Sequence, residues 1–225
     1  MFTSGFTQNP EPLYGNQHTI EWMKSQATLH NIALVGSVAC AVVGSSELRN
    51  NFVNRLFFVT PGSDGDGDGE LHYYDKCHLF AMGGEHERYQ PGKQRSVVNY
   101  KGWRFLLTVC YDLRFPVFCR NRNDYDVMLC VANWPQSRRH PWRTLLQARA
   151  IENQAYVLGV NRVGKDGNGL EYSGDSMAVN FWGEIVADGP QGKEQLLNAT
   201  LDRETLLAAR KSFPVANDAD AFELT

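Results

Sequence analysis

The sequence predicts a mixed class, α/β or α+β with layered sheets, and three observations carry that reading. Short apolar runs rich in β-branched and aromatic residues are bounded by turn residues, as strands are. Stretches with helical apolar spacing fall between them. The chain has 225 residues, 43% of them hydrophobic, which at ~150 residues per domain fits one large domain over 1–225 with a sizeable core.

The elements follow in order. Ile20, Trp22, Met23, Ala27 and Leu29 recur at mostly helical spacing and predict a helix over 19–30. Residues 32–43 and 52–60 read as strands, and 70–76 as a third. The turn chemistry of 61–69 joins the last two into a hairpin with a long polar tip. Residues 103–109 and 127–132 read as buried strands, with room for only a short helix over 117–123. Ser137 is an N-cap candidate with Pro141 in the following turn, and Trp142, Leu145, Leu146 and Ala150 form an apolar stripe to about 153. Strands are expected at 156–161, 175–180 and 184–187, and a closing helix at 202–211.

Composition excludes several functions. With 22 Lys and Arg against 25 Asp and Glu, the formal charge of −3 gives no basic footprint for nucleic acid. Charged residues at 21% also argue against charge-driven disorder. The longest weakly polar run, 32–44, falls short of the ~20 residues a membrane span needs. The first residues show neither a basic nor an apolar signal-peptide region, and the five cysteines contain no Cys-x-x-Cys pair. A cytoplasmic, reduced protein is expected.

Two metal patterns need weighing. Asp64, Asp66, Asp68, Gly69 and Asp75 fall at positions 1, 3, 5, 6 and 12 of a calcium loop. Position 12 lacks the bidentate glutamate and the flanks read as strands, so a hairpin tip is preferred and a calcium-binding module is the minor alternative. His78, His86 and His140 with Cys77 or Cys110 offer no closely spaced ligand pair, so no metal is expected.

Three residues could carry chemistry. Cys110 ends the strand Arg-Phe-Leu-Leu-Thr-Val-Cys and runs straight into Tyr-Asp-Leu-Arg-Phe-Pro. A nucleophile at a strand end is exposed on a rigid support; the plain alternative is a small buried apolar thiol. Lys76 sits among rings in His-Tyr-Tyr-Asp-Lys-Cys-His-Leu-Phe. It is either a snorkelling surface lysine or a buried cation that polarises a carbonyl. Glu85 follows a glycine pair in Gly-Gly-Glu-His-Glu-Arg-Tyr, as a solvated loop charge or a site carboxylate.

Together these stretches, with Val-Ala-Asn-Trp-Pro and Gln-Ala-Arg-Ala-Ile-Glu-Asn-Gln-Ala-Tyr-Val-Leu-Gly-Val-Asn-Arg-Val-Gly, resemble the nitrilase (carbon–nitrogen hydrolase) superfamily in its omega-amidase-like branch. The resemblance runs from Met1 to about Phe213. It implies an α+β four-layer αββα sandwich, a homodimer, a small-molecule amide substrate and no cofactor. Cys110 would be the nucleophile, and Lys76 with the backbone N–H of Tyr111 would hold the oxyanion. Glu85 would position substrate and lysine. Asn133 and Trp134 would line the site, and Arg114 would serve as carboxylate anchor or as ion-pair partner of Asp112. Nitrilases of the family typically carry Cys-Trp-Glu where this chain has Cys-Tyr-Asp, which points to amides rather than nitriles; the omega-amidase-like resemblance implies the terminal amide of a small 2-oxo acid such as 2-oxoglutaramate. The family's general-base glutamate precedes the residues matching Met-Phe-Thr-Ser-Gly-Phe, and neither Glu11 nor Glu21 matches it. The resemblance thus implies a fold without its first strand and helix, and near-inactivity of residues 1–225 by themselves. A non-catalytic remnant is the alternative function.

Overall fold

The computed structural model describes residues 4–10, 17–42, 52–62 and 69–221. The class is α+β, and the chain divides into two compact units, Met1–Val98 and Asn99–Thr225.

In the first unit, helix α1 (Gln17–His30) precedes an antiparallel sheet of β1 (Leu34–Ala41), β2 (Phe52–Val59) and β3 (Leu71–Asp75), in that order. Strand β2 is central, and only Arg55 of its eight residues is not buried, which accounts for its nearly unbroken apolar sequence. Strand alternation gives β2 two roles. Phe57 and Val59 meet Met23 and Ala27 of α1 together with Val38. On the other face Phe52 packs with Ala39 and Tyr89, and Asn54 shares that parity. Asp75, the last position of the acidic pattern, is taken by Arg55 through two hydrogen bonds of 2.7 and 2.9 Å. Asp64, Asp66 and Asp68 lie outside the described residues, and the segments flanking the tip are strands β2 and β3.

The second unit is built on a six-stranded sheet, order β11-β10-β7-β6-β5-β4. Its strands are β4 (Val97–Tyr100), β5 (Trp103–Val109), β6 (Val127–Ala132), β7 (Tyr156–Asn161), β10 (Met177–Val179) and β11 (Ile185–Asp188). β5, β6 and β7 run parallel, so Val109, Ala132 and Asn161 end on one edge. Strands β8 (Val163–Lys165) and β9 (Glu171–Ser173) form a separate antiparallel pair. Helix α2 (Pro116–Cys119) follows β5, and α3 (Arg139–Asn153) links β6 to β7. On one sheet face Gly159 makes room for α3: a Cβ there would stand 2.5 Å from Leu146 Cδ1. On the other, Leu206 and Ala209 of α4 (Arg203–Ser212) cover Val127, Tyr156 and Phe181. The Asp202 carboxylate caps α4 by accepting the Thr205 N–H at 3.0 Å.

Three expectations shift. The helix expected from Ser137 begins at Arg139, after a 3-10 turn over Gln136–Arg138, and Arg138 at its N-cap provides no side-chain cap. The short helix over 117–123 is one turn only, because Asn121 donates to the carbonyls of Tyr125 and Asn153 and draws the chain out of helix. The strand expected over 175–180 starts at Met177; Asp175 lies in irregular backbone before it, at φ 57°. Among the described residues no helix is long and apolar enough to cross a membrane.

Candidate active site

In the first unit the structure brings Lys76 and Glu85 together. Lys76 follows β3, and its N–H donates to the carbonyl of Asn54 at 3.0 Å. Residues 81–83 and 85–87 form two 3-10 turns hinged at Gly84, whose φ of 72° suits glycine. That reversal returns Glu85 to the strand end, and Lys76 Nζ donates to Glu85 Oε2 at 2.5 Å. Both side chains are sealed, at 2% and 0% exposure, so the surface reading of each is excluded. The carboxylate also accepts the Phe80 N–H at 2.7 Å and Asn54 Nδ2 at 3.2 Å. A buried charge is tolerable only when paired and hydrogen-bonded in this way.

In the second unit, Cys110 leaves β5 and opens a 3-10 turn that ends at Arg114. Its φ is 49°, left-handed backbone that a side chain enters at a cost. The turn is held by Asp112, fully buried, which accepts the Val109 N–H at 2.9 Å. Cys110 is half-buried, and its Sγ donates to the Asn133 carbonyl at 3.8 Å. Asn133 and Trp134 leave the end of the neighbouring strand β6. The Arg114 guanidinium lies over the Trp134 ring, 5.1 Å from its centroid. Stacking engages the face of a guanidinium and not its in-plane donors, so it is compatible with the carboxylate-anchor alternative. Thus Cys110, Tyr111, Arg114, Asn133 and Trp134 gather at one edge of the parallel strands, where open α/β sheets commonly bind ligands.

Three of the other four thiols differ. Burial pushes the Cys119 thiol up to about 12 and the Cys40 thiol up to about 11. Burial likewise raises Cys130, which is fully enclosed within β6. A thiol that keeps its proton is a poor nucleophile. Among the described residues no group of three His, Cys, Asp or Glu could hold a metal ion.

Two site residues escaped the sequence reading. Asn54 braces Glu85, and Asn161 brackets Trp134, accepting its N–H at 2.8 Å and donating to its carbonyl at 3.0 Å. Each is an asparagine inside or at the end of an apolar strand, and buried polar residues of that kind are the informative signal.

The sequence matches the carbon–nitrogen hydrolase family over residues 1–211. The chain belongs to the carbon–nitrogen hydrolase family. It is 46% identical to the omega-amidase YafV of Escherichia coli K12 over 225 residues, all of this chain and 83% of that protein. It is 31% identical to the 2-oxoglutaramate amidase of Bacillus subtilis 168 over 201 residues, 88% of this chain and 72% of that one. Among solved structures, a CN-hydrolase superfamily protein of Xanthomonas campestris, XC1258, described with an arsenic adduct in its active site, superposes with a TM-score of 0.90. The two are 42% identical, and the match covers 99% of this chain and 83% of that one. The fold is therefore that of the superfamily, and the chain is by family an amide-cleaving hydrolase.

Proposed function

We propose that this hydrolase releases ammonia from the terminal amide of a small 2-oxo acid such as 2-oxoglutaramate, by way of a Cys110 thioester. The observation that carries the reading is the half-exposed thiol held at a positive φ on the end of a parallel strand. Its support is a chain 46% identical throughout to a protein named omega-amidase, and 31% identical over most of its length to one named 2-oxoglutaramate amidase.

Cys110 Sγ attacks the amide carbon, and the carbonyl becomes a tetrahedral oxyanion. Lys76 Nζ and the Tyr111 N–H stabilise that charge, while Glu85 holds the lysine and helps place the substrate. Collapse breaks the C–N bond, and the proton lost by the thiol leaves with ammonia. Water then adds to the thioester, the C–S bond breaks, and the free acid departs as Cys110 regains its proton. Asn133 and Trp134 line the acyl site, and Arg114 takes the substrate's carboxylate. On this reading both units form one hydrolase domain, since the family match continues across their boundary.

The protein as the cell makes it is assayed for ammonia from 2-oxoglutaramate, simple aliphatic amides and N-carbamoyl acids. The fastest turnover is expected with the 2-oxo amide, and none in Cys110→Ser. Preference for N-carbamoyl acids would reassign the substrate, and full activity in Cys110→Ser would remove the thioester. The working form is proposed as a cytoplasmic homodimer joined near 147–156. Arg149 and Glu152 there pair within α3 at 2.9 Å, so they do not themselves demand a partner. Light scattering from a strict monomer at micromolar concentration would contradict the dimer.

A further inference from the structure

Asn161 stands at the end of β7, where nothing in the proposed chemistry requires it, yet its side chain spends three hydrogen bonds on backbone. Oδ1 accepts the Trp134 N–H at 2.8 Å, and Nδ2 donates to the carbonyls of Trp134 at 3.0 Å and Gly174 at 2.8 Å. Its own N–H donates to Ser176 Oγ at 2.9 Å, and Ser176 Oγ donates back to the Asn161 carbonyl at 3.1 Å. The residue is 9% exposed, so each of these bonds is made largely out of water.

The N–H of Trp134 and the C=O of Asn133 belong to one peptide unit. That unit is planar and trans, so the two groups point to opposite sides. Asn161 grips the N–H side, and on the C=O side the Cys110 thiol donates at 3.8 Å. A bond donated from the N–H side of a peptide polarises it and strengthens the bond its C=O accepts.

We propose that Asn161 is a positioning residue for the Cys110 thiol, acting through the Asn133–Trp134 peptide plane. It fixes the plane's rotation, and the fixed carbonyl sets the rotamer in which the S–H waits. Neighbouring groups brace the clamp. Trp134 Nε1 donates to the Arg138 carbonyl at 2.7 Å, and Trp142 Nε1 to the Asp175 carbonyl at 2.8 Å. Without Asn161 the turn keeps its ring packing but loses the bond that orients the peptide.

The inference rests on Cys110 being the nucleophile, but its test needs no turnover. The S–H stretching band of Cys110 is isolated by infrared difference against Cys110→Ser. In the wild-type protein it lies below the position of an unbonded thiol. Asn161→Ala moves it upward, because the freed peptide plane no longer presents its carbonyl. Asn161→Asp keeps the acceptor for the Trp134 N–H and charges it, so the band moves further down. Ser176→Ala removes a bond to the Asn161 backbone but leaves the clamp, and the band stays. An unmoved band in both Asn161 variants overturns the proposal. So does the same upward displacement in Asn161→Asp and Ser176→Ala, which would mark general loosening. Should Asn161→Ala fail to fold, the downward move in Asn161→Asp decides. A band that behaves as stated in a protein that cleaves no amide would sink the proposed reaction and leave this coupling standing.

Discussion

The two units place their reactive groups by opposite means. In the first, Lys76 and Glu85 are sealed from water, and the carboxylate is held by the lysine, the Phe80 N–H and Asn54. In the second, Cys110 is half-exposed and sits on strained backbone, and its sulfur makes a weak hydrogen bond to the Asn133 carbonyl. The difference follows from charge. Ions removed from water need every partner they can have, whereas a thiol tolerates partial exposure. At these groups the first unit therefore carries electrostatic risk, and the second carries backbone strain.

The sharpest way to break that contrast is to unpair the ions. Glu85→Ala leaves Lys76 buried without its counter-charge, and the expected loss is about 3–5 kcal/mol of unfolding free energy in urea titrations. Replacing both, as Lys76→Met with Glu85→Leu, removes the orphan charge and recovers much of the loss. A single-variant cost under about 1 kcal/mol would mean that water reaches the pair, and the contrast with Cys110 would fail.

Strain at Cys110 makes a smaller prediction. A left-handed residue with a Cβ costs roughly 1–2 kcal/mol, and glycine escapes most of it. Cys110→Gly is therefore expected to be more stable than Cys110→Ala by about 1 kcal/mol, with a higher Tm. Neither variant carries a thiol, so the comparison reads backbone alone. Equal stability would place the strain elsewhere, and the φ of 49° would be carried without cost.

What the sequence showed and what it hid divide along similar lines. Long apolar patterns such as α1, β2 and β5 were legible because burial of one face or both leaves a periodic trace. Cys110, Lys76 and Glu85 stood out as residue types at particular boundaries. Their surroundings did not, since the meeting of Lys76 with Glu85 depends on two 3-10 turns reversing at Gly84, which no period encodes. Strands β8 and β9 are three residues each, too short for any alternation to register. The start of α3 was missed because Ser137 looks like a cap, while the chain uses a 3-10 turn there and leaves the serine exposed. The stacking of Arg114 on Trp134 joins residues twenty positions apart and is a product of adjacent parallel strands.

The gentlest test compares the thiols themselves. Burial raises Cys40 to about 11 and Cys119 to about 12, and it raises Cys130 as well. Brief iodoacetamide treatment near neutral pH should leave these three unlabelled in peptide maps while Cys110 reacts first; equal labelling of all five would refute the ordering. The same shifts set an alkaline limit on stability. A thiol has an unfolded pKa of about 8.5, so below that pH both states hold the proton and the full stability is present. As pH rises past it, the unfolded chain ionises while the folded thiol does not, and mass action favours unfolding. Stability contributed by Cys40 is then lost progressively from about 8.5 toward about 11, and that of Cys119 toward about 12. Cys119→Ala removes one such group, so its unfolding free energy should fall less steeply across that window than that of the parent chain. The slope, read from urea titrations at successive pH values, is insensitive to the packing lost with the sulfur, which shifts the whole curve without tilting it. An unchanged slope would show that Cys119 ionises in the folded state as readily as in the unfolded one, and would remove it from the set of raised thiols against which Cys110 stands out.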